Sequence, residues 1–124
     1  MKKLLFIILF ASISIFSCKK SENPPAPTYS QDKLNGTWET IVKEDGCLSQ
    51  LIISAAGMSE KLVCDNGGSF TANYENYVFD GKKITAKAFG TIDVEYVIDE
   101  LSDTKLVTTM NSMSTNKKTE WKRK

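Results

Sequence analysis

The residues with the widest range of chemistry in this sequence are three cysteines, Cys18, Cys47 and Cys64. A thiol can form a disulfide, bind a metal, act as a nucleophile or carry a lipid, and its surroundings decide among these. The chain has no histidine. This excludes the Ser-His-Asp and Cys-His arrangements, and it removes the residue most often used as a general base or as a ligand of catalytic zinc.

The segment before Cys18 has the pattern of a secretory signal. Residues 1–17 read MKKLLFIILFASISIFS, in which two lysines precede an apolar run that is interrupted only by Ser12 and Ser14. The run is shorter than the roughly 20 apolar residues of a membrane-spanning helix, and it is typical of the core of a signal peptide. We expect a signal peptide at 1–17 that is cleaved; an uncleaved anchor helix is the alternative.

The segment Ile15-Phe16-Ser17-Cys18 resembles the lipobox of bacterial lipoproteins, in which a small residue precedes the modified cysteine. The resemblance implies that Cys18 becomes the first mature residue and carries a diacylglyceryl thioether and an N-acyl chain such as palmitate. More than one acyl chain is needed for stable anchoring. The expected location is therefore a bacterial cell envelope, lipid-anchored to the outer membrane on an undetermined side. A free or disulfide-bonded Cys18 is the alternative.

With Cys18 assigned to lipid, Cys47 and Cys64 form an even pair. In an oxidising compartment a disulfide between them is expected, and two buried free thiols are the alternative. Two cysteines without histidine partners make a poor zinc site, and a redox pair is more often Cys-x-x-Cys. No metal and no cofactor are expected.

Two further segments follow the predicted cleavage site. Residues 18–33 are polar, contain all three prolines of the chain and lack an apolar period, which predicts a lipid-anchored flexible tether. Residues 34–124 show short alternating runs separated by turn residues, as in antiparallel strands. The clearest alternation is Ile92, Val94, Tyr96 and Ile98. About eight strands are expected, at 37–43, 47–54, 58–64, 69–79, 82–89, 91–99, 104–113 and 117–124.

Eight short strands joined by tight turns predict an all-β, up-and-down antiparallel meander. Closing such a meander into a barrel removes its exposed edges, and an eight-stranded barrel is either filled by side chains or holds one small ligand. A β-sandwich is the alternative architecture.

Leu34-Asn-Gly-Thr-Trp38 places a G-x-W at the start of the first strand. Over residues 34–124 this motif and the meander resemble lipocalins, and more closely the small lipocalin-like lipoproteins of Bacteroidetes-type bacteria. Lipocalins stack an arginine from the end of the barrel over this tryptophan. Arg123, the only arginine in the chain, or failing that Lys122, is therefore expected over Trp38 as a structural contact on the barrel floor.

The candidate ligand-binding residues are aromatic side chains that could line an apolar pocket: Tyr74, Tyr77, Phe79, Phe89 and Tyr96. Ordinary core packing is the alternative for them. The carboxylates of the domain fall mostly in turns or on outward strand faces, and nothing in the sequence brings two of them into a cleft. No catalytic residue is therefore predicted.

Lys and Arg total 16 against 15 Asp and Glu, which leaves no basic excess for a nucleic-acid partner. The sequence predicts a monomeric, non-enzymatic, membrane-anchored envelope lipoprotein whose barrel binds a small hydrophobic or amphipathic molecule. The alternative is a filled barrel with a structural or protein-interaction role, inhibitor-like, without a small-molecule ligand.

Overall fold

A computed structural model describes residues 27–124, so the predicted signal peptide, Cys18 and most of the predicted tether lie outside the described residues. One short helix, α1 (Gln31–Leu34), precedes eight strands. The strands are β1 (Gly36–Thr40), β2 (Cys47–Ser54), β3 (Gly57–Cys64), β4 (Ser69–Phe79), β5 (Lys83–Ala88), β6 (Ile92–Leu101), β7 (Lys105–Ser112) and β8 (Thr115–Arg123).

The strands pair antiparallel in chain order, and β8 returns to β1 to close a barrel. The predicted all-β, eight-stranded up-and-down barrel is thus confirmed. The alternation of apolar residues decides which side chains point inward, because successive side chains of a strand lie on opposite faces. On β6, Val94, Tyr96 and Ile98 are buried in the interior, while Asp93 and Asp99 are exposed.

The barrel has two different ends. Three tight turns, at 55–56, 80–82 and 102–104, lie together with α1 at one end, which we call the closed end. The connections at 41–46, 65–68, 89–91 and 113–114 lie at the opposite end, which we call the open end. The two ends are packed differently.

Side chains fill the closed end. Trp38 is fully buried, and its Nε1 donates a hydrogen bond of 2.8 Å to the carbonyl oxygen of Leu34, which is itself fully buried. Arg123 lies opposite Trp38 in the register of β1 and β8, and its guanidinium carbon is 4.1 Å from the centre of the Trp38 ring. The expected contact between Arg123 and Trp38 is present.

Arg123 also links three chain segments at the closed end. Its Nε, Nη1 and Nη2 donate hydrogen bonds of 2.7, 2.8 and 2.6 Å to the carbonyl oxygens of Asp103, Asn35 and Lys33. Gly36, the glycine of the G-x-W motif, makes room for this side chain: a Cβ at that position would lie 2.5 Å from Nη1 of Arg123. The backbone of Gly36 has a φ of 140°, a region that favours glycine. The motif therefore combines a core tryptophan with a glycine that leaves space for the arginine side chain.

The barrel domain begins earlier than its composition suggests. Tyr29 packs against the core, its backbone N–H donates a hydrogen bond of 2.7 Å to the carbonyl oxygen of Gly81, and α1 follows directly. The sequence boundary at Leu34 therefore lies inside a packed segment. Composition assigned residues 29–33 to the tether because they are polar, but a single aromatic ring and a one-turn helix are enough to fix them on the barrel.

The wall of the barrel is incomplete towards the open end. β1 pairs with β8 only from Trp38 to Thr40, although the sequence predicts a strand up to residue 43. Residues 115–120 of β8 pair with β7 and have no strand partner on the other side within the described part of the chain. The 41–46 connection follows β1 at this gap, and a tight turn pairs its Glu44 with Cys47 at the start of β2.

Candidate binding cavity

A cavity of about 160 Å³ occupies the barrel interior towards the open end. It extends from the buried rings of Tyr96 and Trp121 to Val42 and Lys117, which are exposed at the mouth. Its walls combine apolar and polar side chains, supplied by Thr40, Val42, Glu44, Cys47, Ser49, Glu60, Leu62, Tyr96, Met110, Lys117, Thr119 and Trp121.

Of the two carboxylates that line the cavity, Glu44 is exposed and Glu60 is partly buried. Glu60 lies on β3 with the parity of Met58, which is buried in the core. Its Oε2 accepts a hydrogen bond of 2.9 Å from the Tyr74 hydroxyl, and the Tyr96 hydroxyl is 3.5 Å from the same atom. The two hydroxyls are 3.0 Å apart, and the two rings are edge-to-face at 6.2 Å. Glu60, Tyr74 and Tyr96 therefore form one hydrogen-bonded group, which we call the acidic triad.

Both tyrosines of the acidic triad stay neutral over the ordinary pH range. Burial raises the pKa of Tyr74 to about 12, and the Glu60 carboxylate adds to this shift. Burial, together with the same carboxylate, also raises the pKa of Tyr96 above its usual range. Since a neutral phenol is a hydrogen-bond donor, the two hydroxyls orient the carboxylate without adding charge.

Exposed apolar side chains lie around the open end of the barrel, and one of them, Val42, lines the cavity. Val42, Phe89 and Met113 are 72%, 64% and 90% exposed. With Ile41 and Phe70 they form what we call the apolar rim. Phe70 and Phe89 contact each other across the rim, with ring centres 6.4 Å apart.

Two residues of the apolar rim also have unusual backbone conformations. Phe89 and Met113 have φ values of 52° and 50°. This is the left-handed region of backbone conformation, which residues other than Gly and Asn rarely adopt. Such conformations cost free energy, and they are found preferentially at functional sites. Both residues place large apolar side chains in tight turns, where glycine or asparagine would be more stable.

The open end is held together by a disulfide and by an ion pair. Cys47 and Cys64 are register partners at the ends of β2 and β3, and they are disulfide-bonded; the predicted disulfide is confirmed. Lys117 Nζ lies 2.6 Å from Glu44 Oε2 and ties β8 to the 41–46 connection across the wall gap.

The structure separates the five aromatic residues predicted to bind a ligand. Tyr96 lines the cavity, and Tyr74 reaches it through the acidic triad. Tyr77 and Phe79 pack against the core outside the cavity lining, and the Tyr77 hydroxyl donates a hydrogen bond of 2.9 Å to Gln31 of α1. Phe89 belongs to the apolar rim. The five residues thus form no single pocket.

A β-bulge explains part of this separation. The register of β4 and β5 shifts between Glu75 and Val78, and Asn76 has a φ of 53°. In a regular strand, residues three positions apart lie on opposite faces. The extra residue of the bulge lets Tyr74 and Tyr77 both point inward. They then lie at different levels of the barrel.

Sequence reasoning missed Glu60, Leu62, Lys117 and Trp121 as cavity residues. A signal for Glu60 is present in the segment Met58-Ser-Glu-Lys-Leu62, where the glutamate shares the face of two apolar residues at a spacing of two. A glutamate at an inward strand position is unusual enough to indicate a site, because a buried carboxylate needs a partner.

A larger depression, of about 500 Å³, lies on the outer face of β5, β6 and β7. Its charged lining residues are paired with one another or with neighbours: Lys87 Nζ lies 2.8 Å from Asp93 Oδ1, and Glu95 Oε2 lies 2.9 Å from Lys83 Nζ. This surface offers few unpaired polar groups to a ligand, and the interior cavity is the stronger candidate.

The fold and the cavity define the class of protein, a small closed β-barrel with a partly polar interior site. No family model, curated protein or solved structure matches the chain. Among the described residues there is no group of three His, Cys, Asp or Glu side chains that could hold a metal ion. Residues 27–124 also contain no helix with the length and apolar character needed to cross a membrane.

Proposed function

We propose that this chain is a non-enzymatic binding module of a bacterial envelope, anchored to the membrane through Cys18, whose barrel binds a small amphipathic molecule at its open end. The observation that carries the proposal is the cavity with the acidic triad inside and the apolar rim at the same end of the barrel. Binding sites for small molecules typically combine apolar walls with a few polar groups that fix orientation.

The size of the cavity limits the ligand. Its 160 Å³ is below the roughly 300–1,000 Å³ typical of sites for drug-sized molecules. A polar head group and a few attached carbons fit inside, while a longer apolar part has to lie against the rim. The rim side chains are exposed and therefore free to cover such a part. This supports an amphipathic ligand over a large hydrophobic one.

The lipobox-like segment supports the anchoring part of the proposal. Cys18→Ser removes the thiol that would receive the lipid, so we expect an unprocessed precursor that lacks acyl chains. Metabolic labelling with a palmitate analogue, together with the mass of the mature protein, measures both. Cys47→Ser is the control, since it replaces another cysteine, one of the disulfide, and should leave acylation intact. Normal processing and membrane retention of the Cys18→Ser variant would refute the anchor.

Native mass spectrometry of the full lipidated protein, purified from its own envelope in a mild detergent, tests ligand binding. We expect a small-molecule adduct that is released on denaturation. Thr119→Phe places a ring in the cavity and should abolish the adduct. Lys118→Phe is the matched control, because it adds the same ring on the outward face of β8 and should leave the adduct in place. No adduct on the wild type, or an equal adduct on both variants, contradicts the proposal.

A protein-interaction role is the second candidate, and the apolar rim is the observation that favours it. Exposed apolar patches often mark interaction sites. A protein partner would contact the rim instead of the interior, so Phe89→Ser or Met113→Ser should release it while Thr119→Phe should not. Co-purification from crosslinked envelopes distinguishes this pattern from the one expected for a small ligand.

A further inference from the structure

The Glu60 carboxylate has no cationic partner in the described part of the chain. The Tyr74 hydroxyl donates a hydrogen bond to Oε2 of Glu60. A second hydrogen bond joins the Tyr74 and Tyr96 hydroxyls. Within residues 27–124, no lysine or arginine forms an ion pair with Glu60, and Oε1 receives no hydrogen bond from a side chain. The structure therefore leaves one carboxylate oxygen available to a ligand.

The other charges that line the cavity neutralise each other. Lys117 and Glu44 are paired at the mouth, with Nζ and Oε2 2.6 Å apart. Tyr74 and Tyr96 are neutral hydrogen-bond donors. The cavity thus carries a net charge of one negative unit, which comes from Glu60. A half-buried carboxylate is costly unless a positive charge or further donors compensate it.

A second side chain of the cavity lining, Trp121, also favours a cation. The indole N–H of Trp121 donates a hydrogen bond of 3.0 Å to Oγ1 of Thr108, so this polar group is already occupied. Trp121 therefore contributes its ring and no free N–H to the cavity lining, and the face of an indole ring attracts cations. Apolar side chains, Leu62 and Val42, border the route from this point to the mouth.

We propose that the cavity selects amphipathic molecules whose head is a small organic cation, an alkylammonium, and that Glu60 binds this head at its free carboxylate oxygen. The inference rests on the proposed ligand-binding function and names the class of its ligand. The ammonium group donates to Glu60 and lies near the Trp121 ring. The alkyl chain runs past Val42 and Leu62 to the apolar rim. No bond is made or broken.

The test uses the full-length lipidated protein in detergent, with three probes of equal chain length: n-butylammonium, n-butanol and butyrate. The readout is the two indole N–H signals in NMR spectra of the ¹⁵N-labelled protein. Trp121 lines the cavity and should shift, while Trp38 is sealed under Arg123 and should not. We expect n-butylammonium to bind about tenfold or more tighter than butyrate, since hydrogen bonds between charged groups are the strongest ones.

Glu60→Gln keeps the size of the side chain and removes its charge. It should weaken n-butylammonium binding by about tenfold or more and change butanol binding less than about twofold. Glu75→Gln, on an exposed position of β4, makes the same change in net charge and should have no effect. If Glu60→Gln does not fold, the order of affinities of the three probes for the wild type decides alone.

The outcomes distinguish the two proposals. If all three probes shift Trp121 with equal affinity and Glu60→Gln changes nothing, cation selection is overturned and ligand binding stands. An amine-free adduct in native mass spectrometry, with no shift from n-butylammonium, also overturns cation selection alone. If no probe shifts Trp121 and no adduct is found, both proposals fail. Selective, Glu60-dependent binding of n-butylammonium supports both.

Discussion

The closed and open ends of the barrel are built from the same eight strands but use their side chains differently. At the closed end, Trp38 and Leu34 fill the interior, the Trp38 N–H donates to the Leu34 carbonyl oxygen, and Arg123 covers the Trp38 ring. At the open end, β1 leaves the wall, an interior cavity holds a carboxylate, and apolar side chains face solvent. The difference indicates that stability is concentrated at the closed end, and the open end is where we propose that the ligand binds.

The largest expected effect comes from the closed end. Trp38→Ala removes a fully buried ring that packs under Arg123, and it should lower the free energy of unfolding by about 3–5 kcal/mol. Val42→Ala at the open end shortens an exposed side chain and should change the free energy of unfolding by less than about 0.5 kcal/mol. Denaturant unfolding measures both. Similar losses in the two variants would mean that stability is spread evenly over the barrel.

The disulfide provides a sharper test, because it is the main covalent support of the open end. Replacing both Cys47 and Cys64 by Ala removes a cross-link between residues 17 positions apart. It should lower the free energy of unfolding by about 3 kcal/mol. We expect the loss to act locally first. Amide hydrogen exchange should accelerate at the open ends of β2 and β3 before it does around Trp38. Uniform acceleration along the barrel would show that the two ends unfold as one unit.

The smallest expected effect has the opposite sign. Met113→Gly relieves a left-handed backbone conformation and removes an exposed apolar side chain, so it should stabilise the protein by about 0.5–1 kcal/mol. Gly90→Ala, in another turn of the open end with a φ of 72°, should destabilise it by a similar amount. Thermal unfolding resolves changes of this size. A destabilised Met113→Gly variant would show that the methionine contributes to folding rather than to binding.

The architecture was predictable from the sequence because the signals were local. Turn pairs such as Asp80-Gly81 separate the strands, and the alternation from Ile92 to Ile98 identifies the inward face of β6. The contact between Trp38 and Arg123 was also predictable, since closing the meander brings the last strand beside the first. Each of these inferences depends on residue types at short spacing or on the two ends of the chain.

The cavity was not predictable in the same way, because its position depends on how eight strands align. Periodicity places Glu60 on the same face as Met58 and Leu62, but it does not show that this face borders a cavity. The bulge beside Asn76 changes the level at which Tyr77 points inward, and the early end of β1 at Thr40 opens the wall. The disulfide was predictable for another reason, because it is inferred from the number of cysteines alone. The register of β2 and β3 then places Cys47 and Cys64 side by side.

The attachment of α1 and Tyr29 to the closed end determines how an anchored protein would present itself. The chain joins the barrel at the end opposite the cavity, since Tyr29 bonds to Gly81 in a closed-end turn. With a lipid on Cys18, the ten steps to Thr28 span at most about 35 Å. The filled floor would then be the part of the barrel nearest to the tether, with the mouth at the far end. Molecules in solution would reach the cavity directly, and molecules leaving the bilayer would first have to travel around the barrel.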